Sequence, residues 1–195
     1  MSARRGHIFV LSAPSGAGKS SLIDRAAREI PGIWHSVSAT TRPPRHYEKE
    51  GVHYFFLSTD AFHDRIRRNG FLEWAQVFGD HYGTPADAVD RRLETDEDVI
   101  MDLDVQGALQ VKRRRPDATL VFIMPPSLEE LAGRLRKRGA ETEDRIQRRL
   151  ARAEEEMSQR SLYDHVIVNA ELDAAFRELA AIINAHRAKA AGGGA

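Results

Sequence analysis

Apolar positions along this chain fall into short unbroken runs, separated by stretches where they recur every three or four residues. His7 to Ser12 carries Ile8-Phe9-Val10-Leu11 without a polar break, which predicts a buried strand. Ser20 to Glu29 follows in helical period and stops at Pro31-Gly32. Trp34 to Ala39 reads as a second strand. Thr41 to Glu50, polar with two prolines and two arginines, reads as a loop. Further along, Asp98 to Leu103 and Thr119 to Met124 repeat the strand pattern, with helical periods over Pro85 to Glu94 and Val105 to Arg114. Ser127 then caps a helix running towards Arg138, with Glu130 three positions on as in a capping box. Asp164 to Asn169 is a last short strand and Leu172 to His186 a final amphipathic helix. Strands alternating with helices predict an α/β fold, a parallel sheet flanked by helices on both faces.

Two stretches break this rhythm. Val52 to Leu57 and Phe71 to Phe78 are β-rich around a short helix, Asp60 to Asn69, ended by Gly70. About 36–84 therefore reads as a small strand-rich insertion. After a break at Gly139, Glu141 to Gln159 is helical but highly charged, with few apolar anchors. Such a segment is a solvated face or a moving element.

Composition narrows the function classes. The chain has 195 residues, 42% hydrophobic and 30% charged, as expected for one soluble globular domain. Its 29 acidic and 29 basic residues cancel, which argues against a partner of polymeric nucleic acid. The 24 arginines against 5 lysines favour forked contacts to phosphate or carboxylate. With no cysteine, disulfides, thiolate catalysis and Cys-ligated zinc are excluded. The apolar run after the basic start is too short for a signal peptide, and no run reaches the roughly 18 residues that span a bilayer. The expectation is a cytoplasmic protein with no membrane partner; nothing in the pattern sets an oligomeric state.

The most specific local signal is Ala13-Pro14-Ser15-Gly16-Ala17-Gly18-Lys19-Ser20, followed by Ser21, lying between a buried strand and a helix. This is the context of a phosphate loop. Glycines let the backbone curl so that successive N–H groups face phosphate oxygens, and the helix adds its positive N-terminal end. Lys19 would reach the β- and γ-phosphates, and the Ser20 hydroxyl is placed to ligate magnesium. Ala13 stands where a glycine is usual, which the loop tolerates only if its φ is negative. A second acid, Asp102, ends the apolar run Val99-Ile100-Met101, where phosphate-loop enzymes keep a carboxylate beside the metal. An ordinary helix-capping acid gives the same pattern.

Such a loop implies a nucleoside triphosphate without naming the acceptor: water, a second nucleotide or a protein switch all remain. The insertion bears on that choice. Ser36-Val37-Ser38-Ala39-Thr40-Thr41-Arg42-Pro43-Pro44-Arg45 puts two arginines three apart in a proline-stiffened loop. Phe71-Leu72-Glu73-Trp74-Ala75 sets one carboxylate in an apolar strand, and His81-Tyr82-Gly83-Thr84 adds a phenol and a hydroxyl. As a set they suit an anionic phosphate and a base with two donors. Singly, each has an unremarkable reading as surface charge or core.

These segments, with Asp102-Leu103-Asp104-Val105-Gln106-Gly107, Arg134-Leu135-Arg136-Lys137-Arg138-Gly139 and Val166-Ile167-Val168-Asn169, resemble the guanylate kinase family in order and spacing over about residues 6–188. The resemblance implies a phosphate-loop core (6–35, 85–133 and 160–188), a GMP-binding insertion (about 36–84) and a helical lid (about 134–159). It implies transfer of the terminal phosphoryl group of ATP to GMP in purine nucleotide metabolism, with Mg2+ accompanying ATP. It further implies that residues 13–21 hold ATP, that Ser20 and Asp102 serve the metal, and that Asn169 lies near the adenine. Arg42, Arg45 and Tyr54 would hold the GMP phosphate with Tyr82 beside them, while Ser38, Glu73, Thr84 and Asp104 would meet the guanine. Arg134, Arg138 and Arg149 would come from the lid side onto the ATP phosphates. Ala39 stands where the family often has serine. Two other readings stand beside this one: a silent guanylate-kinase-like domain that binds proteins, and a kinase for another monophosphate.

Overall fold

The apolar runs pair side by side. The computed structural model describes residues 5–137 and 142–192. In chain order the elements are β1 (Ile8–Ser12), α1 (Lys19–Glu29), β2 (Ile33–His35), β3 (Ala39–Thr40), β4 (Phe55–Phe56), α2 (Thr59–Arg67), β5 (Phe71–Val77) and β6 (Asp80–Pro85). They continue with α3 (Ala86–Glu94), β7 (Asp98–Asp102), α4 (Val105–Arg114), β8 (Thr119–Met124), α5 (Leu128–Lys137), α6 (Glu143–Ser158), β9 (His165–Val168) and α7 (Leu172–Gly192). No helix among the described residues is long and apolar enough to cross a membrane.

The large sheet has the order β2-β7-β1-β8-β9, and every neighbouring pair is parallel. Side chains alternate across it. Val10, Met101, Leu120 and Phe122 pack on one face with Val89 of α3 and Val111 of α4. Phe9, Leu11, Ile100, Val121 and Ile123 pack on the other with Leu22 and Ile23 of α1 and Leu179 and Ile183 of α7. Each such side chain contributes roughly 1.5–3 kcal/mol by leaving water. Burial on both faces is why these strands read as continuous apolar runs, and the α/β expectation holds.

Three local expectations are corrected. The single strand expected over Trp34 to Ala39 is two strands in two sheets. Ser36 N–H still donates to Ile100 O of the large sheet at 2.9 Å, whereas Ser38 O accepts from Phe55 N–H at 2.9 Å in the small one. No glycine or proline interrupts the stretch from Ile33 to Thr41, so the pattern carries no mark of the crossing. The small sheet runs β4-β3-β6-β5, with β3 and β4 parallel and β6 antiparallel to both β3 and β5. Strand β6 was not expected, because its hairpin turn is Phe78-Gly79, both at positive φ (51° and 93°), without the Asn-Gly pair that advertises such turns. Lastly, α2 stops at Arg67, two residues before Asn69.

The predicted cap at Ser127 is made: its Oγ accepts from Glu130 N–H at 3.0 Å. The predicted end of α5 at Arg138 and the break at Gly139 lie outside the described residues.

At the end of the sheet opposite the phosphate loop, α7 is held by a polar cluster. Thr119 Oγ1 lies 2.9 Å from His7 Nε2 and 3.1 Å from His186 Nε2, and the two imidazoles stack 4.5 Å apart. Buried Asp98 accepts from His7 N–H at 2.8 Å and from Arg187 Nε at 2.7 Å. Burial, helped by Lys189, pulls the His186 pKa below its ordinary 6.5. The unfolded chain then takes up this proton before the folded one does. The stability involved is present above about pH 6.5 and is lost as pH falls below it. Melting temperature is expected to drop from pH 7 to pH 5, and His186→Asn to make that drop shallower; an equal drop in the variant would remove His186 from the effect.

Candidate active site

The loop between β1 and α1 bends as its glycines permit. Gly16 and Gly18 adopt φ of 97° and 94°, a region L-residues rarely enter, and Ala17 N–H donates to Pro14 O at 3.1 Å. Ala13 is not among the described non-glycine residues at positive φ, which are Asn69, Phe78 and Asp96. The condition on its substitution for glycine is therefore met.

Lys19 opens α1 and its Nζ lies 2.5 Å from Asp102 Oδ1, while donating to Leu103 O at 3.0 Å. The loop, Lys19, Ser20, Ser21 and Asp102 line one cleft of about 510 Å³. Arg149, Arg152 and Glu156 of α6 line its far side. Arg149 Nη2 donates to Ser15 Oγ at 2.9 Å, so the charged helix reaches the loop directly. Leu131 and Leu135 of α5 crowd Gly16, where an added Cβ would meet them at 3.0 and 3.1 Å. Three basic groups, the backbone N–H groups of the loop and a helix N-terminus thus converge on one space, a site for several phosphates.

Asn169 and Arg134 sit elsewhere than on the open cleft wall. Asn169 is 5% exposed, and its Nδ2 donates to Ala17 O at 2.7 Å from beneath the loop. Arg134 Nη2 donates to Asn169 O at 2.9 Å. This chain of bonds ties α5 through the end of β9 to the loop. Arg138 lies outside the described residues.

A second site adjoins the first across three residues. Asp102 and Leu103 face Lys19; Asp104 caps α4, its Oδ1 accepting from Gly107 N–H at 2.8 Å. An added Cβ on Gly107 would lie 3.4 Å from both Asp104 Oδ1 and Glu73 Oε2, so the two carboxylates border the same spot. Glu73 is 7% exposed and accepts from Thr84 Oγ1 at 2.7 Å, its cross-strand neighbour on β6. Burial pushes its carboxyl pKa up, and Asp104 adds to the rise. Gln110 of α4 holds this stretch of β5 by a pair of bonds to the Trp74 backbone, at 3.3 and 3.2 Å.

The arginine loop forms the rim. The Arg42 guanidinium lies 5.6 Å over the Tyr54 ring, and Tyr54 meets Tyr82 edge-on at 6.1 Å. Arg42 also binds Glu48, at 2.8 and 3.1 Å. The Arg42 pKa is raised by Glu48 and then by Tyr82. Arg45 is exposed and its Nη1 donates to Tyr47 Oη at 2.9 Å. Ser38 is half-buried where the chain crosses between sheets. Of the residues singled out from sequence, Arg42, Tyr54 and Tyr82 come together, as do Glu73, Thr84 and Asp104. Glu48 and Gln110 were missed. Glu48 sits three residues after Arg45 in a turn, a spacing that carries a signal only when the turn is known.

The sequence matches the guanylate kinase family model over residues 5–186. A guanylate kinase of Desulfitobacterium hafniense (strain Y51) is 44% identical over 97% of this chain and 94% of its own. One of Hydrogenovibrio crunogenus is 47% identical over 93% and 89%. The crystal structure of guanylate kinase from Anaplasma phagocytophilum superposes with a TM-score of 0.70 at 32% identity, covering 95% of this chain and 88% of that one.

Proposed function

This chain belongs to the guanylate kinase family and is an ATP:GMP phosphotransferase, and on that premise we propose how its residues divide the work. Residues 6–35, 85–133 and 160–188 form the phosphate-loop core, about 36–84 the GMP-binding insertion and about 134–159 the lid. Residues 13–21 receive the ATP phosphates, with Lys19 as the central charge and Arg149 closing from α6. Asn169 acts from below on the loop that carries them. Arg42 and Arg45, with Tyr54 and Tyr82, take the GMP phosphate; Ser38, Glu73, Thr84 and Asp104 take the guanine.

The observation that carries this reading is the adjacency of the two sites. Within three residues the chain turns from Lys19, bonded to Asp102 and Leu103, to Asp104 beside Glu73. A triphosphate and a second nucleotide bound there lie end to end. The acceptor oxygen belongs to a phosphate monoester with a second pKa of about 6, so it is already ionised at neutral pH and needs no general base. What remains is to align two anions and neutralise the moving charge, which the lysine and arginines do. The α6 arginines also cover the cleft against water, which would otherwise accept the phosphoryl group.

Ser20 and Asp102 line the same cleft and offer only oxygen, a donor set that fits a hard divalent cation such as Mg2+. Bound there with ATP, the ion would neutralise phosphate charge. The setting is purine nucleotide metabolism in the cytoplasm.

The reading is tested by measuring ADP release from ATP with GMP, AMP or UMP, with Mg2+ and after chelation. Release is expected with GMP and Mg2+ and to be lost on chelation. Equal turnover with AMP or UMP would overturn the guanine assignment, and no ADP with GMP would favour the silent protein-binding reading.

A further inference from the structure

We propose that Glu48 is a positioning residue for the GMP phosphate site, holding Arg42 and the backbone of Arg45 in the geometry that receives the phosphate; this rests on the reading of Arg42 and Arg45 given above. The Glu48 side chain is 5% exposed although its loop lies at the surface. Its carboxylate gathers donors from two directions: Arg42 Nη2 at 2.8 and 3.1 Å, and Arg45 N–H at 2.7 Å. Glu48 N–H in turn donates to Arg45 O at 2.9 Å, closing the turn on itself. The other end of the Arg42 fork donates to Pro43 O at 2.7 Å. The guanidinium is thereby pinned over Tyr54 instead of sweeping through solvent.

An anion beside a phosphate site invites the opposite reading, that Glu48 competes with GMP for Arg42. Two effects oppose here. The carboxylate repels the incoming dianion, but that repulsion is already largely cancelled by the arginine it pairs with. Losing the carboxylate also frees a long side chain and the Arg45 backbone, which must then be reordered at each binding event. The bond to Arg45 N–H decides between them. It is made by a backbone donor and not through Arg42, so the carboxylate is fixed in the turn as a support. The lowered Glu48 pKa, set first by Arg42 and then by the Arg45 N–H, agrees with that geometry.

The test compares Glu48→Ala, Glu48→Gln and Arg42→Ala in steady-state kinetics, with guanosine as a competitive inhibitor that lacks the phosphate. Glu48→Ala is expected to raise the GMP KM about 10- to 100-fold, with the ATP KM and the guanosine Ki within about twofold of the parent. Glu48→Gln, which still accepts from Arg45 N–H and keeps the fold if Glu48→Ala does not, is expected to fall between. A GMP KM that is unchanged or lowered in Glu48→Gln would overturn the proposal, as would parallel weakening of guanosine and GMP, which marks a collapsed loop. Arg42→Ala leaving the GMP KM unchanged would instead overturn the phosphate-site reading beneath it.

Discussion

Replacing Lys19 by alanine is expected to lower kcat by about 10³-fold or more while leaving the fold intact. The asymmetry follows from where the side chain stands. Its ammonium is bonded to Asp102 and to Leu103 O on the floor of the cleft, not in the core. Its removal leaves Asp102 at the water-accessible edge of β7, with a third of its side chain exposed, so no charge is stranded in an apolar place. Melting temperature should therefore move by only a few degrees. The rate loss is large because Lys19 is aimed where negative charge gathers as the phosphoryl group moves, and water cannot replace a fixed charge without reorganising. Lys19→Arg should not restore the rate, since a planar fork cannot occupy the place of a compact ammonium. Steady-state kinetics with equilibrium GMP binding checks this. A kcat within tenfold of the parent in Lys19→Ala, or a loss confined to GMP binding, would remove Lys19 from the transfer step.

The parts of this molecule that could be read in advance are those whose physics is local. The loop from Ala13 to Ser21 is such a part, because a curl, a cation and a helix start must follow one another in sequence to act together. The strands β1, β7 and β8 were legible because burial on both faces forces unbroken apolar runs. What could not be read depends on depth and on sheet membership. Asn169 stood out as a residue near the nucleotide, yet nothing in Val-Ile-Val-Asn tells that its amide lies under the loop, bonded to Ala17 O. The crossing from β2 to β3 at Ser36 to Ser38 is invisible for a related reason: no glycine or proline breaks the stretch that serves both sheets. Gln110 shows the same limit, as its bonds to the Trp74 backbone link α4 to β5 across 36 residues. Each of these residues is placed by a distant partner, and a single sequence records the residue without the partner.

Glu73→Gln is expected to separate stability from recognition. In the ligand-free protein the Glu73 carboxyl is buried, with Thr84 Oγ1 at 2.7 Å and Asp104 nearby, and its pKa is raised by burial first. A carboxyl whose folded value lies above its unfolded value keeps its proton longer in the folded state, so its contribution to stability declines as pH rises through that window. Above its unfolded value the side chain is thus a cost to the empty protein. The amide removes that cost, and its melting temperature should equal or exceed the parent's near pH 7, with a weaker dependence on pH above 4.5. Recognition goes the other way. Guanine presents two donors side by side, N1–H and the 2-amino group, and a carboxylate accepts both. Glutamine offers one acceptor and must turn its NH2 towards the other donor, an unmet contact of about 1–3 kcal/mol, or about 10- to 100-fold in GMP KM. Adenine gains from the same change, because the new NH2 can donate to its N1, where a carboxylate faces a lone pair. The preference for GMP over AMP should therefore fall by more than the GMP KM rises. Paired kcat/KM values for the two nucleotides, with melting curves from pH 4.5 to 7.5, test both halves. A variant that bound GMP as the parent does would dissociate Glu73 from the base, and one that melted well below the parent at pH 7 would contradict the claim that its charge burdens the empty pocket.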